Sequence, residues 1–173
     1  VMSDVVFEPG AKIIYTGSSD VAVLTIGAAD SSDVCFSRRY EGLWVERENQ
    51  SDWSSEANIG IRVYNAAGCY FSISQVNGFT IGFQALPSNG AGFQGNTLDF
   101  GHVYNCKIAR DWSNATNGFC NDNTINAGRI QAFSTVNALG ARYGDRVTSS
   151  DASYTTQNGN RFYGPLIELN AAG

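Results

Sequence analysis

Three aspartates, Asp99, Asp111 and Asp122, lie close together along the chain and offer the carboxylates that cleavage of a glycosidic bond uses. That chemistry needs one carboxyl protonated beside one ionised, a state that two neighbouring acids reach by pushing their pKa values apart. The single histidine, His102, stands near Tyr104 and Arg110, residue types able to take and return a proton. Another set suits binding rather than cleavage. Trp44, Trp53, Tyr64, Tyr104 and Trp112 fall in loops or at outward phases of an alternating pattern. Aromatic rings pack on apolar faces, while their N–H and O–H groups bond hydroxyls. Arg129, in Arg129-Ile130-Gln131, adds a cation. Each group has a plainer use: aspartates in solvated turns, a lone histidine at a surface corner, and rings that fill an interface or cover a core edge. The elements that position them decide.

Metal and nucleotide chemistry find little support. The four cysteines, Cys35, Cys69, Cys106 and Cys120, form no CxxC, and no histidines gather near them, so zinc ligation is not expected. They read as small buried apolar side chains, with Cys106 and Cys120 able to pair if the chain is secreted. Asp30-Ser31-Ser32-Asp33 lacks the Gly and Glu of a calcium loop. Gly90-Ala91-Gly92-Phe93-Gln94-Gly95 matches GxGxxG, but strand-like Asn96-Thr97-Leu98-Asp99-Phe100 follows where a dinucleotide site needs a helix, so it reads as a loop. Asn49-Gln50-Ser51 and Asn114-Ala115-Thr116 match the glycosylation sequon, a coincidence expected in so Asn-rich a chain. No metal and no cofactor is expected.

Composition points to one all-β domain over residues 1–173. Only 16% of the residues are charged, Gly reaches 19, and Met and Pro number 1 and 3. Asn, Ser, Thr and Gly, residues of turns, take the place of the usual helix formers. The net charge of −5 argues against nucleic acid, with Arg38-Arg39 the only adjacent basic pair. No apolar run nears the roughly 20 residues that span a bilayer. The opening at Val1-Met2, already strand-like, is what a piece of a longer chain would show.

Alternation of period two recurs in Lys12-Ile13-Ile14-Tyr15, Val21 to Ile26, Leu43 to Glu46, Ile59 to Tyr64, Phe79 to Phe83, and Arg161 to Leu169. Two triplets recur at one offset. Val63-Tyr64-Asn65 returns as Val103-Tyr104-Asn105, and Asn77-Gly78-Phe79 as Asn117-Gly118-Phe119, each 40 residues on. The offset suggests one repeat, or two coils of about 20 residues each. A looser unit, Asn-x-apolar followed by Gly and another apolar residue, begins at Asn96, Asn123 and Asn160, with spacings of 27 and 37. Stacked coils about 4.8 Å apart explain these features, with Asn amides laddered at the bends and Gly where the backbone turns left-handed. By this arithmetic the chain forms a parallel β-solenoid of about seven coils, on the order of 35 Å long. A sandwich or jelly roll would favour tight antiparallel hairpins instead.

On this ruler, equivalent outward positions lie about 4.8 Å apart on adjacent coils and about 9.6 Å on alternate ones, the range that paired glycosidase carboxylates require. Asp99, Asp111 and Asp122 are expected to approach each other in this way, and Tyr64 and Tyr104, equivalent in the 40-residue repeat, to stack outward.

Three stretches resemble a known family. Phe7-Glu8-Pro9-Gly10-Ala11-Lys12-Ile13-Ile14 resembles the opening coil of pectin-lyase-like β-helices. Asn58 to Phe83, and Gly118 to Ile130, resemble the middle coils of bacteriophage tailspikes and tail fibres, and Asn160 to Leu169 is similar to a further coil. Gly101-His102 and Arg129-Ile130-Gln131 echo two motifs of pectin-degrading hydrolases, but the Asp-Asp pair of those enzymes has no counterpart here. The resemblance implies a right-handed, single-stranded parallel β-helix that forms a homotrimer at the tip of a virion tail. It also implies attachment to bacterial capsule or lipopolysaccharide, with depolymerase activity through some pair of the three aspartates as the alternative. A secreted bacterial polysaccharide lyase or hydrolase, or a shaft without a ligand, would carry the same coils. Trp53, Tyr64, His102, Tyr104, Trp112 and Arg129 are the candidate binding residues.

Overall fold

A computed structural model of the chain describes residues 4–28, 33–49, 53–115, 117–132, 143–148, 157–164 and 166–169. Among them every regular element is a strand: β1 (Val5–Val6), β2 (Ile13–Tyr15), β3 (Ala22–Ile26), β4 (Cys35–Phe36), β5 (Arg39–Arg47), β6 (Ile59–Val63), β7 (Ala66–Ala67), β8 (Tyr70–Asn77), β9 (Ile81–Ala85), β10 (Gly92–Gln94), β11 (Thr97–Tyr104), β12 (Ile108–Trp112), β13 (Phe119–Asn121), β14 (Thr124–Asn126), β15 (Arg129–Ala132), β16 (Tyr143–Val147), β17 (Gln157–Asn158), β18 (Arg161–Tyr163) and β19 (Leu166–Leu169).

All pairings described are parallel and fall into three sheets. The first has nine strands, with β1, β5, β8, β11, β14 and β18 as successive rungs and β2, β15 and β19 completing them. The second orders β3, β6, β9, β12 and β16, and the third β4, β7, β10, β13 and β17. The chain visits first, second and third sheets in rotation, an arrangement compatible with a β-solenoid.

Register shows which spacing is one circuit. Phe71, Leu98, Ile125 and Phe162 are strand partners in succession, so the Asn-based spacings of 27 and 37 are true circuits. The 40-residue offset is not. Val63 closes β6 in the second sheet while Val103 lies on β11 in the first, and the recurrence links different corners. Circuits longer than the expected 20 residues also reduce the stack to six rungs in the first sheet, about 24 Å rather than 35 Å.

The core follows from alternation. Tyr40, Phe71, Leu98 and Ile125 point inward as one buried column, and Val45, Val76, Val103 and Ile130 as another. Ring contacts continue it, with Tyr40 stacked on Phe71 at 5.0 Å and Phe83 tilted against Trp112 at 5.6 Å. Each such side chain contributes roughly 1.5–3 kcal/mol through burial. All four cysteines are buried and none is in a disulfide, and burial pushes the Cys106 and Cys120 thiols up to about 12. Gly90 to Gly95 forms a turn leading into β10, with no helix after it.

Two devices shape the corners. Ser37, Gly68, Gly95, Asp122 and Gly159, each the first residue past a strand of the third sheet, all take positive φ, between 47° and 65°. The next residues, Arg38, Cys69, Asn96, Asn123 and Asn160, form a column of hydrogen bonds. Arg38 N–H donates to Cys69 Sγ, Cys69 N–H to Asn96 Oδ1, Asn96 N–H to Asn123 Oδ1, and Asn123 N–H to Asn160 Oδ1. A side-chain oxygen, or at the first bend the Cys69 sulfur, thus satisfies the backbone donor that each sharp bend exposes. In the first sheet a crease runs across the rungs at Ser74, Gly101 and Gly128, where the inward phase shifts by one residue; on β5 the shift comes earlier, at Gly42, ahead of Leu43, the partner of Ile73.

Candidate functional site

The outer face of the first sheet, beyond the crease, gathers the side chains best suited to recognition. Outward positions there are Trp44 and Glu46 on β5, Gln75 on β8, His102 and Tyr104 on β11, and Arg129 and Gln131 on β15, matched rung by rung. A connected network runs through Lys12, Trp44, Glu46, Gln75, Tyr104, His102 and Gln131. Lys12 Nζ donates to Glu46 Oε2 at 2.9 Å and sits 5.3 Å from the Trp44 ring centre. Glu46 Oε1 accepts from Trp44 Nε1 at 2.9 Å and from Gln75 Nε2 at 2.6 Å. Gln75 Nε2 also donates to the Tyr104 hydroxyl at 3.0 Å. The His102 ring stacks on Tyr104 at 4.6 Å, and its Nε2 shares a short hydrogen bond with Gln131 Oε1.

The charges of this row are settled by their surroundings. Partial burial works to raise the Glu46 pKa, but hydrogen bonds from Lys12, Trp44 and Gln75, with the Lys12 charge, outweigh it and hold the carboxyl below its ordinary value. Burial, reinforced by the Glu46 charge, keeps the Tyr104 phenol protonated well into alkaline solution. A carboxylate whose folded pKa is depressed stabilises the fold above its unfolded pKa, and that contribution fades as pH falls through the folded value. Acid unfolding of Glu46→Gln should therefore lose less stability below about pH 4.5 than the parent does. Parallel losses in urea titrations across pH 3–7 would remove this role from Glu46.

The three aspartates occupy separate settings. Asp99, on the first sheet before the crease, accepts from Tyr70 OH at 2.6 Å and from Asn126 Nδ2, and its strand partners are Ser72 and Asn126. Asp111 is wholly buried on the second sheet. Arg146 grips both its oxygens, at 2.9 and 3.1 Å, Gln84 Nε2 donates to it at 2.8 Å, and Glu56 holds Arg146 from outside. Asp122 is an exposed corner residue with φ of 55°. The expected approach of stacked carboxylates is not met, because no two of the three are strand partners and they belong to different sheets or corners.

The expected aromatic row is redistributed too. Trp112 points inward among Phe83, Phe93 and Phe100, its Nε1 donating to Asp145 at 2.8 Å. Trp53 is buried. Tyr64 is buried at the end of β6 beside Arg62, far in topology from Tyr104, so the two do not stack. His102, Tyr104 and Arg129 come together; Glu46, Gln75 and Gln131 complete the face and were missed. Alternation within Leu43 to Glu46 marked Trp44 and Glu46 as outward, yet only the register sets them beside Gln75 and Tyr104.

No family model, curated protein or solved structure matches the chain. Among the described residues no group of three or more His, Cys, Asp or Glu is placed to hold a metal ion, and no helix is long and apolar enough to cross a membrane. Asn114, of the second sequon, is buried with its amide donating to Gly118 O at 2.8 Å; Gln50 and Ser51 of the first, Thr116 of the second, and residues 30–32 lie outside the described residues.

Proposed function

We propose that this chain is a right-handed, pectin-lyase-like β-helix domain of a bacteriophage tail spike or tail fibre, which binds bacterial surface polysaccharide along the outer face of its first sheet. The observation that carries the reading is the connected row of Trp44, Glu46, Gln75, Tyr104 and His102. It offers half-buried rings, the Tyr104 hydroxyl as a fixed donor and an ionised acceptor over successive rungs. Rings of this kind receive the C–H faces of sugars, and the polar groups between them bond hydroxyls. Rungs repeat about every 4.8 Å, so the row is long enough for a short run of sugars. Binding rather than cleavage is favoured because Glu46 is already held by three donors. Homotrimer assembly belongs to the same reading and predicts a solution mass near three times 18.6 kDa by light scattering.

The test is binding of the purified chain to a panel of capsular polysaccharides and lipopolysaccharides. Trp44→Ala and Tyr104→Ala should each weaken binding about five- to tenfold. Phe36→Ser, at an exposed site on the third sheet, should leave it unchanged. Equal losses for all three variants, or no binding across the panel, would overturn the proposal.

A further inference from the structure

At the corner between the third and first sheets lies an open depression of about 300 Å³ lined by Ser37, Arg38, Arg39, Gly68 and Tyr70. Its size is at the small end of ligand pockets, roughly 300–1,000 Å³, and fits one ring rather than a chain. The corner column builds it. Arg38 heads the ladder whose lower members, Cys69, Asn96 and Asn123, turn buried side chains inward to accept from the rung before. Arg38 instead lines the depression and has no ion-pair partner among the described residues. Arg39 pairs with Glu41 and lies 5.5 Å from the centre of the Tyr70 ring, whose hydroxyl is anchored on Asp99. Gly68, with φ of 63°, leaves the floor open where a Cβ would stand 3.7 Å from Ser37 Oγ.

We propose that this depression is a subsite for a single acidic sugar, with Arg38 pairing its carboxylate and the Tyr70 ring forming the wall beside it. In a chain of net charge −5 its only adjacent basic pair is placed here, and a planar guanidinium matches a carboxylate through two parallel hydrogen bonds. The proposal deepens the glycan-binding reading and rests on it, since Arg39 and Tyr70 of its lining open β5 and β8, two of the strands that carry the row.

The experiment follows backbone amide signals of the intact chain during titration with D-glucuronate and D-galacturonate, each against its methyl ester, and with inorganic phosphate. The acids should shift Ser37, Gly68 and Tyr70 with saturation, the esters should bind about tenfold more weakly, and Arg38→Gln should reduce acid binding about tenfold. Unchanged signals of Val76 and Val103 would show that the variant remains folded. If they change, the contrast between acid and ester on the parent decides alone. Equal shifts by acid and ester would overturn carboxylate recognition. Equally strong shifts by phosphate would reduce the site to one for adventitious anions. No response here, while the polysaccharide panel still perturbs His102 and Tyr104, would sink the subsite and leave the binding face standing. Silence at both would sink both.

Discussion

Asn123→Ala should destabilise the chain by about 3–5 kcal/mol, far more than one polar-to-alanine change on a surface. Asn123 is fully buried and joins three rungs. Its Oδ1 accepts from both the backbone N–H and Nδ2 of Asn96, at 3.0 Å each, and its Nδ2 donates to Phe93 O at 2.9 Å and Asn160 Oδ1 at 2.8 Å. Alanine leaves these partners buried without water to replace what they lose, and each orphaned group costs about 1–3 kcal/mol. Asn126→Ala is the comparison. That exposed side chain donates only to Asp99 among the bonds described, and its removal should cost under about 1 kcal/mol. Urea midpoints read at unchanged slope give both values. Equal losses would mean that the asparagine column decorates the corner without supporting it.

Gly128→Ala should cost about 2–5 kcal/mol, from left-handed backbone strain of about 1–2 and overpacking of about 1–3. Gly128 has φ of 57°, and a Cβ there would overlap the carbonyl oxygens of Phe100 and Gly101 on the rung before. Those atoms are backbone in a paired strand, so they cannot swing aside. Gly95 separates the two causes, since its φ is 60° but nothing lies within 4 Å of the added carbon. Gly95→Ala should show the conformational strain alone, about 1–2 kcal/mol. The difference in unfolding midpoint between the variants measures the close approach of rungs at the crease. If Gly128→Ala proved no worse than Gly95→Ala, the crease would not be closely packed.

The crease also bears on the proposed binding role. By shifting the inward phase midway along β5, β8 and β11, it separates the row from Trp44 to Gln131 from the strand starts at Arg39 and Tyr70 that border the depression around Arg38. Both stand on strands anchored by fully buried partners such as Val45, Val76 and Val103. On the proposed reading, a surface so supported would lose little entropy on meeting a glycan.

Much of the architecture was already legible in local chemistry. Period-two alternation marks strands because successive side chains face opposite ways. Asn-x-apolar marks a bend because an amide can serve the donor that the bend exposes, and so the spacings of 27 and 37 at Asn96, Asn123 and Asn160 proved to be real circuits. Burial of the cysteines was legible from their isolation. Which rung lies on which was not, because connections of unequal length set the register, and the 40-residue recurrence therefore joined different sheets. Facing direction failed where strand phase was not evident: Asp111 looks outward from β12 but is covered through Arg146 and Glu56, while its neighbour Trp112 enters the core. Sequence alone determined the strands, the bends and the kinds of residue available. Only the tertiary structure decided that Glu46, Gln75, Tyr104 and His102 meet while Asp99, Asp111 and Asp122 do not, since residues from different circuits become neighbours through the register of parallel ladders.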